Sequence, residues 1–363
     1  MVIEENLKAG FIKMSAENYM RRCFELAKQG QSNVAPNPMV GAVIVHNDRI
    51  IGEGYHQKYG EAHAEVNAIN SVKNKELLKE STIYVSLEPC AHYGKTPPCA
   101  DLIVNNQIPK VVVACVDSFS EVAGKGIEHL KKSGCEVVLG VLEKESLDLN
   151  RRFFTFHQQK RPYIILKWAE TSDGFIDAIR TNNSPAAPNW ITGSYEKQLV
   201  HKWRSEEAAI LIATNTAEKD NPALTTREWF GKSPLRISID RQLRLDSKLT
   251  VFDNSVPTLI LNAIKTEIIG NNRYLKLGFD EDKIAFINTL TKVLYEQEVQ
   301  SVIIEGGSEF LTSVIESNLW DEARVFRGFK TFGNGIKAPS ITQTANDVFT
   351  LPNSNLFIYK HKK

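Results

Sequence analysis

His63-Ala64-Glu65, followed by Pro89-Cys90 and then Cys99, are the residue types of a metal-dependent hydrolytic site. A catalytic zinc ion takes three protein ligands at about 2.0–2.3 Å and keeps a fourth position for water. One imidazole and two thiols meet that need. A glutamate beside the metal, not bound to it, takes a proton from water and hands it to a leaving amine. Metal-assisted hydrolysis that releases an amine is therefore the chemistry these side chains suit. Geometry limits where they sit, because residues two apart in mid-helix diverge by about 200°. His63 and Glu65 serve one metal only from a helix's first turn, which Gly60-Glu61-Ala62 allows. The cysteines should open a loop and a second helix, where exposed N–H groups stabilise thiolates.

The elements needed to hold such a site are visible in the first half. Ser15 reads as the N-cap of a helix with Tyr19, Cys23, Leu26 and Ala27 on one face, stopped at Gly30. Strands are expected at Val40–Val45 and Arg49–Gly54 around a His46-Asn47-Asp48 turn, then at Thr82–Leu87, Lys110–Val116 and Cys135–Gly140. Helices are expected from Ala62-His63 to Val72, over Cys99–Asn105 and over Gly126–Ser133, with Glu88–Pro98 as a loop. Met1–Lys13 has no periodicity and reads as a loose leader.

The alternation restarts at Arg161-Pro162. Strands are expected at Tyr163–Lys167, Ala208–Ala213, Leu235–Asp240, Thr258–Leu261, Lys283–Ile287 and Val302–Ile304, helices at Tyr195–Ser205 and Thr289–Gln297, and a loop at Thr181–Asn189. The fold class is α/β, with largely buried sheets. Length agrees, since 363 residues at roughly 150 per domain give about two. The expected domains are 15–150 and 155–363, with the boundary between Glu143 and Arg161.

Composition excludes several classes. The chain is 42% hydrophobic, enough for sizeable cores and too much for global disorder. The longest apolar runs, Val111–Val116 and Ala208–Ala213, have strand length, whereas a membrane span needs about 18 residues. The N-terminus carries Glu4 and Glu5 and no apolar signal core, so a soluble cytoplasmic protein is expected. Lys and Arg (44) nearly balance Asp and Glu (43), leaving no long-range field for nucleic acid. Five cysteines in a chain this long do not make a disulfide framework.

The pattern H-x-E … P-C … C resembles the signature of zinc nucleobase deaminases. One departure is that Ala91–Pro98 separates the cysteines, where two residues are usual. Two plainer readings stand beside it: a chance match, and a structural zinc site with His92 as fourth ligand. The long loop itself, Glu88-Pro89-Cys90-Ala91-His92-Tyr93-Gly94-Lys95-Thr96-Pro97-Pro98-Cys99, closely resembles the metal loop of the bifunctional riboflavin biosynthesis deaminase–reductases. So do Pro36-Asn37-Pro38-Met39-Val40-Gly41, Gly52-Glu53-Gly54-Tyr55-His56 and His63-Ala64-Glu65-Val66. The resemblance extends over roughly residues 16 to 350. It implies a cytidine-deaminase-like α/β/α sandwich that removes the 2-amino group of a phosphoribosylamino-diaminopyrimidinone. It further implies one Zn²⁺ on His63, Cys90 and Cys99, Glu65 as proton shuttle, and Asn37, His56, His92 and Lys95 around the substrate. Asp117 would hold the ribose, although the family's D-P-N-P here reads Asp117-Ser118-Phe119-Ser120.

No G-x-G-x-x-G follows a strand and no P-loop exists, so a conventional dinucleotide site is not supported. Ile303-Ile304-Glu305-Gly306-Gly307-Ser308 offers instead a strand ending in glycines before a helix, whose N–H groups suit a phosphate. The resemblance again extends the reading. Leu166-Lys167, Asp173-Gly174, Trp190-Ile191-Thr192-Gly193, Arg204, Asp220–Thr225, Arg227 and Glu305-Gly306-Gly307 follow the family's reductase half in order. That half is similar in fold to dihydrofolate reductase and implies hydride transfer from NADPH to the ribosyl C1′. Ala169, Trp190, Thr216, Asp220, Gly307, Ser308, Glu309 and Phe310 would contact NADPH. Lys167, Arg204, Leu224, Arg227 and Glu305 would contact the substrate, two arginines suiting its phosphate. Departures are more frequent here: Pro188-Asn189 precedes Trp190, Gly328–Gly333 diverges, and Arg241 stands where the family often has serine.

The partners implied are a small-molecule pyrimidine and, by resemblance, a second copy of the chain as a homodimer. The competing readings are a tRNA-adenosine or nucleoside deaminase with an unrelated second domain, and a non-catalytic binding protein keeping zinc as a staple. Balanced charge and the long cysteine loop oppose the first. Glu65 opposes the second, since a structural site has no use for a proton shuttle.

Overall fold

The computed structural model describes residues 15–91, 97–117, 124–180, 187–279 and 282–361. His92 and Lys95, the Ser118-Phe119-Ser120 departure, most of the expected Thr181–Asn189 loop and the Met1–Lys13 leader lie outside them. The chain divides into two compact units, Met1–Gln158 and Gln159–Lys363.

The first unit is built on five strands: β1 (Gly41–His46), β2 (Arg49–Tyr55), β3 (Thr82–Val85), β4 (Lys110–Val113) and β5 (Glu136–Leu139). Their order is β2-β1-β3-β4-β5, antiparallel on the β2 side and parallel from β3 to β5. The three central strands, β1, β3 and β4, turn apolar residues alternately to two buried faces, as a sandwich requires. Ala42, Ile44, Ile83, Val85, Val111 and Val113 form one core with α2 (Ala64–Ser71) and α3 (Cys99–Asn105), joined by Leu130 of α4 (Lys125–Lys132). Val43, Val45, Tyr84 and Val112 form the other with α1 (Ala16–Lys28). Ser15 caps α1 by accepting from the Asn18 N–H at 3.3 Å. The segment expected to hold the boundary is helical, as α5 (Glu143–Leu149) and α6 (Arg151–Gln159). Phe153 and Phe154 of α6 pack with Leu87 and Cys115.

The second unit carries ten strands in the order β11-β12-β10-β9-β8-β13-β6-β14-β17-β16. They are β6 (Tyr163–Glu170), β8 (Ala209–Ile212), β9 (Leu235–Ile239), β10 (Thr258–Asn262), β11 (Glu267–Ile269), β12 (Asn272–Lys276), β13 (Ser301–Glu305), β14 (Glu322–Gly328), β16 (Asp347–Thr350) and β17 (Ser354–Lys360). Pairing is parallel from β12 to β14 and antiparallel at both margins. A short ladder joins β7 (Phe175–Asp177) to β15 (Ile336–Lys337). Helices α7 (Ser194–Glu206), α8 (Thr214–Asp220), α9 (Lys283–Glu296) and α10 (Ser308–Glu316) complete the unit. Cores lie on both faces: Ile164, Leu166 and Trp168 face one, Tyr163 and Ile165 the other.

The strand expected at Lys283–Ile287 is instead the first turn of α9. Asp282 caps it by accepting from the Ile284 N–H at 2.8 Å. Ile287, Leu290 and Leu294 then fall on one buried stripe. A short apolar run alone does not distinguish strand from helix; the cap and the longer period do.

Candidate functional site

His63 is the N-cap of α2, with extended backbone at φ −72° and ψ 167°. It therefore escapes the helical rotation that would turn it away from Glu65, which sits in the first turn and is 3% exposed. Cys99 is the first residue of α3, and its N–H donates to Cys90 Sγ at 3.3 Å. His63 Nδ1 lies 3.6 Å from Cys90 Sγ and 3.4 Å from Cys99 Sγ. All three ligand atoms fall within 4.8 Å of one another. One borderline nitrogen and two soft sulfurs at that spacing fit a zinc ion with a coordination position left over.

Charge around the cluster is set by burial and by the sulfurs. Burial first, then the Cys90 sulfur, pushes the Glu65 carboxyl up to about 7. Hydrogen bonding from Cys99 and then from His63 holds the Cys90 thiol well below its usual range. A carboxyl poised near neutrality beside a ligand pair is suited to carrying a proton in either direction.

Asn37 and His56 meet next to this cluster. His56 Nδ1 lies 3.1 Å from the Ala62 carbonyl, which only accepts, so Nδ1 carries the hydrogen. His56 Nε2 then accepts from Asn37 Nδ2 at 3.2 Å. Burial lowers the pKa of His56, keeping it neutral, and its ring stands edge-on to His63 at 5.4 Å. The loop bearing Asn37 is held by Asn150, which bonds the Met39 N–H at 2.8 Å and the Met39 carbonyl at 2.9 Å. Asp117 is buried, with its N–H bound to Glu88 Oε2 at 3.2 Å.

In the second unit, Glu305 and Lys167 are registered neighbours on β13 and β6, so their side chains share a face. Lys167 Nζ lies 3.8 Å from Glu305 Oε1, and Arg204 of α7 donates from Nη2 to Glu305 Oε2 at 3.1 Å. Burial, then the nearby Arg204, lowers the Lys167 pKa. Although burial acts the other way, Arg204 and Lys167 hold the Glu305 carboxyl below its usual range. Arg204 Nε is buried with no hydrogen-bond partner among the described residues. Leu224 is buried with φ +57°, and the next carbonyl, Thr225, accepts from Arg204 Nη1 at 3.4 Å. Arg227 is exposed and donates to Thr225 Oγ1 at 2.8 Å.

The glycine turn after β13 lies at the carboxyl end of the parallel strands, where open α/β sheets take ligands. Gly306 has φ +137°, and a Cβ there would meet Thr216 Oγ1 at 2.7 Å. Gly307 caps α10, and its N–H donates to the same Thr216 oxygen at 2.9 Å. Thr216, Gly307, Glu309 and Phe310 line one cavity of about 250 Å³ with Phe279 and Phe286. This apolar pocket beside a helix start fits part of a dinucleotide. Trp190 and Asp220 do not line it. Trp190 is 55% exposed, under Lys197 Nζ at 5.3 Å. Asp220 is taken by Arg180 Nη2 at 2.6 Å, a pairing no sequence motif announced. Ala169 lies on β6 opposite Phe326, and Ser308 opens α10.

Comparison with known proteins places both halves. The RibD C-terminal domain matches residues 162–356, and the cytidine and deoxycytidylate deaminase zinc-binding region matches residues 13–115. The chain is 39% identical to the riboflavin biosynthesis protein RibD of Aquifex aeolicus, over 88% of each chain. It is 38% identical to RibD of Actinobacillus pleuropneumoniae, over 89% of this chain and 86% of that one. Among solved structures it is similar to a diaminohydroxyphosphoribosylaminopyrimidine deaminase/5-amino-6-(5-phosphoribosylamino)uracil reductase from Thermotoga maritima. That match has TM-score 0.84 and 34% identity, covering 95% of this chain and 98% of that one. Acinetobacter baumannii RibD gives TM-score 0.83 and 31% identity, covering 96% and 99%. The chain therefore belongs to the RibD family, an enzyme of riboflavin biosynthesis joining a zinc-dependent deaminase to an NADPH-dependent reductase.

Proposed function

We propose that the two units act in turn on one phosphoribosylamino-pyrimidine, the first removing its 2-amino group as ammonia and the second reducing its ribosyl group to ribityl. The observation that carries the first step is the convergence of His63, Cys90 and Cys99 beside buried Glu65. Zinc, when bound there, supplies the Lewis acidity that makes water nucleophilic near neutral pH. The chain's own residues do the rest. Glu65 takes the water's proton and delivers it to the departing amine. Asn37, oriented by neutral His56, reads the ring edge with its carboxamide. His92, Lys95 and Asp117 are assigned to the substrate by resemblance to the family.

NADPH supplies the hydride for the second step. Thr216, Gly307, Ser308, Glu309 and Phe310 form the helix-start cradle assigned to it, with Ala169, Trp190 and Asp220 as the remaining contacts. Lys167, Arg204, Leu224, Arg227 and Glu305 are assigned to the sugar phosphate. The unpartnered Nε of Arg204 supports a phosphate or sugar oxygen as its missing acceptor. Arg241, whose guanidinium lies 5.8 Å from the Phe279 ring, is assigned to the 2′-phosphate of NADPH.

Among the described residues no helix is long and apolar enough to cross a membrane. Together with the balanced charge, this supports a cytoplasmic enzyme acting on a small molecule rather than on nucleic acid. The family resemblance supports a homodimer, which sedimentation equilibrium measures. The decisive experiment combines zinc analysis with an assay on the phosphoribosylamino-pyrimidine, with and without NADPH. One zinc per chain, ammonia release without NADPH, and NADPH oxidation only after deamination are expected. Oxidation with the undeaminated pyrimidine at equal efficiency reverses the order.

A further inference from the structure

Glu88 precedes the Pro89-Cys90 pair and is 4% exposed, yet among the described residues no cation pairs with it. Its carboxylate is satisfied by main-chain N–H groups. Oε1 accepts from Gly126 at 2.9 Å and Ile127 at 3.3 Å, and Oε2 from Gly124 at 3.0 Å and Asp117 at 3.2 Å. Gly124, Gly126 and Ile127 are the start of α4, whose first N–H groups have no partner within the helix. The approach is close: a Cβ on Gly126 would lie 2.0 Å from the Pro89 carbonyl oxygen, so only glycine fits. Glu88's own N–H donates to Cys115 at 3.1 Å, and the Cys90 carbonyl accepts from Ala100 at 3.1 Å. Proline between them fixes φ, leaving little play between the Glu88 clamp and the Cys90 ligand.

From this geometry we infer that Glu88 is a positioning residue of the deaminase, hanging the metal-ligand loop and the Asp117 main chain from one carboxylate. It thereby sets the separation between the zinc site and Asp117. The inference rests on the reading of Asp117 as a ribose contact. Glutamine at 88 has one acceptor oxygen and turns an NH₂ group against N–H donors. The clamp on Asp117 or on α4 is then lost while all three zinc ligands remain.

The test compares Glu88→Gln, Asp117→Ala and the double variant, each as full-length zinc enzyme. For Glu88→Gln the expected result is unchanged zinc stoichiometry and unchanged reductase turnover on the deaminated pyrimidine. The deaminase KM rises roughly tenfold with kcat little altered, a coupling of the size seen between touching residues. Asp117→Ala raises KM as well, and adding Glu88→Gln to it changes nothing further. Glu88→Asp keeps the charge and recovers part of the affinity; it replaces Glu88→Gln if that variant does not fold. A wild-type KM in the Glu88 variant, an effect that multiplies with Asp117→Ala, or loss of zinc overturns the positioning role. A wild-type KM in Asp117→Ala refutes the ribose reading itself and takes the proposal with it.

Discussion

The sites proposed for deamination and for reduction are assembled by different means. In the first unit the reactive groups come from the openings of two helices, α2 and α3, and from the loop between β3 and α3. His63, Cys90 and Cys99 fall within 36 residues of one another, and the openings of α2 and α3 place His63 and Cys99. In the second unit Lys167, Arg204 and Glu305 come from β6, α7 and β13, and they meet because two parallel strands stand in register. The metal cluster is thus specified by local sequence. The charge triad is specified by the completed sheet, and it stores three partly buried charges that are safe only together.

The largest expected effect breaks the first arrangement alone. Cys99→Ser should abolish zinc binding and bring deamination to background. Reduction of the deaminated pyrimidine should continue; metal analysis and the two assays check this. Glu65→Gln sharpens the contrast, since the ligands stay. Zinc should remain at one per chain while deamination falls by roughly 10²–10⁴, the range for a lost general acid–base. Full turnover in this variant would contradict the proton-shuttle role. In the second unit, Glu305→Gln leaves Lys167 and Arg204 facing each other without their counter-charge. Breaking a buried ion pair from one side costs about 3–5 kcal/mol, so denaturant unfolding should show this loss while deamination persists. The smallest effect concerns Arg241→Ala. The kcat/KM preference for NADPH over NADH should fall about tenfold, the value of one charge-assisted hydrogen bond, and an unchanged ratio removes the assignment.

What the sequence disclosed follows the same division. The openings of α2 and α3, and hence the zinc ligands, were legible because a cap and a ligand type are local features. The strands of the first sheet were legible as short apolar runs of strand length, the first two set off by the His46-Asn47-Asp48 turn. The clamp of Glu88 was not, because its partners are backbone N–H groups, which every residue but proline carries; only the glycines at 124 and 126 hint at it. Nor was the Arg180–Asp220 pair, made between residues far apart in sequence. The misreading at Lys283–Ile287 arose because Ile-Ala-Phe-Ile suits either element until the stripe at 287, 290 and 294 is followed further. Strands β14, β16 and β17 went unread, although Pro352-Asn353 marks the turn between β16 and β17.

The order of strands in the larger sheet has a consequence for synthesis. The first sheet is complete once Leu139 has been made. Strand β6, at Tyr163–Glu170, has as its neighbours only β13 and β14, at Ser301–Glu305 and Glu322–Gly328. A nascent chain therefore carries a finished deaminase unit while Ile164, Ile165 and Leu166 await partners that the ribosome has not yet produced. During that interval the growing polypeptide exposes an apolar, unpaired strand, the form most prone to wrong association and most dependent on chaperones.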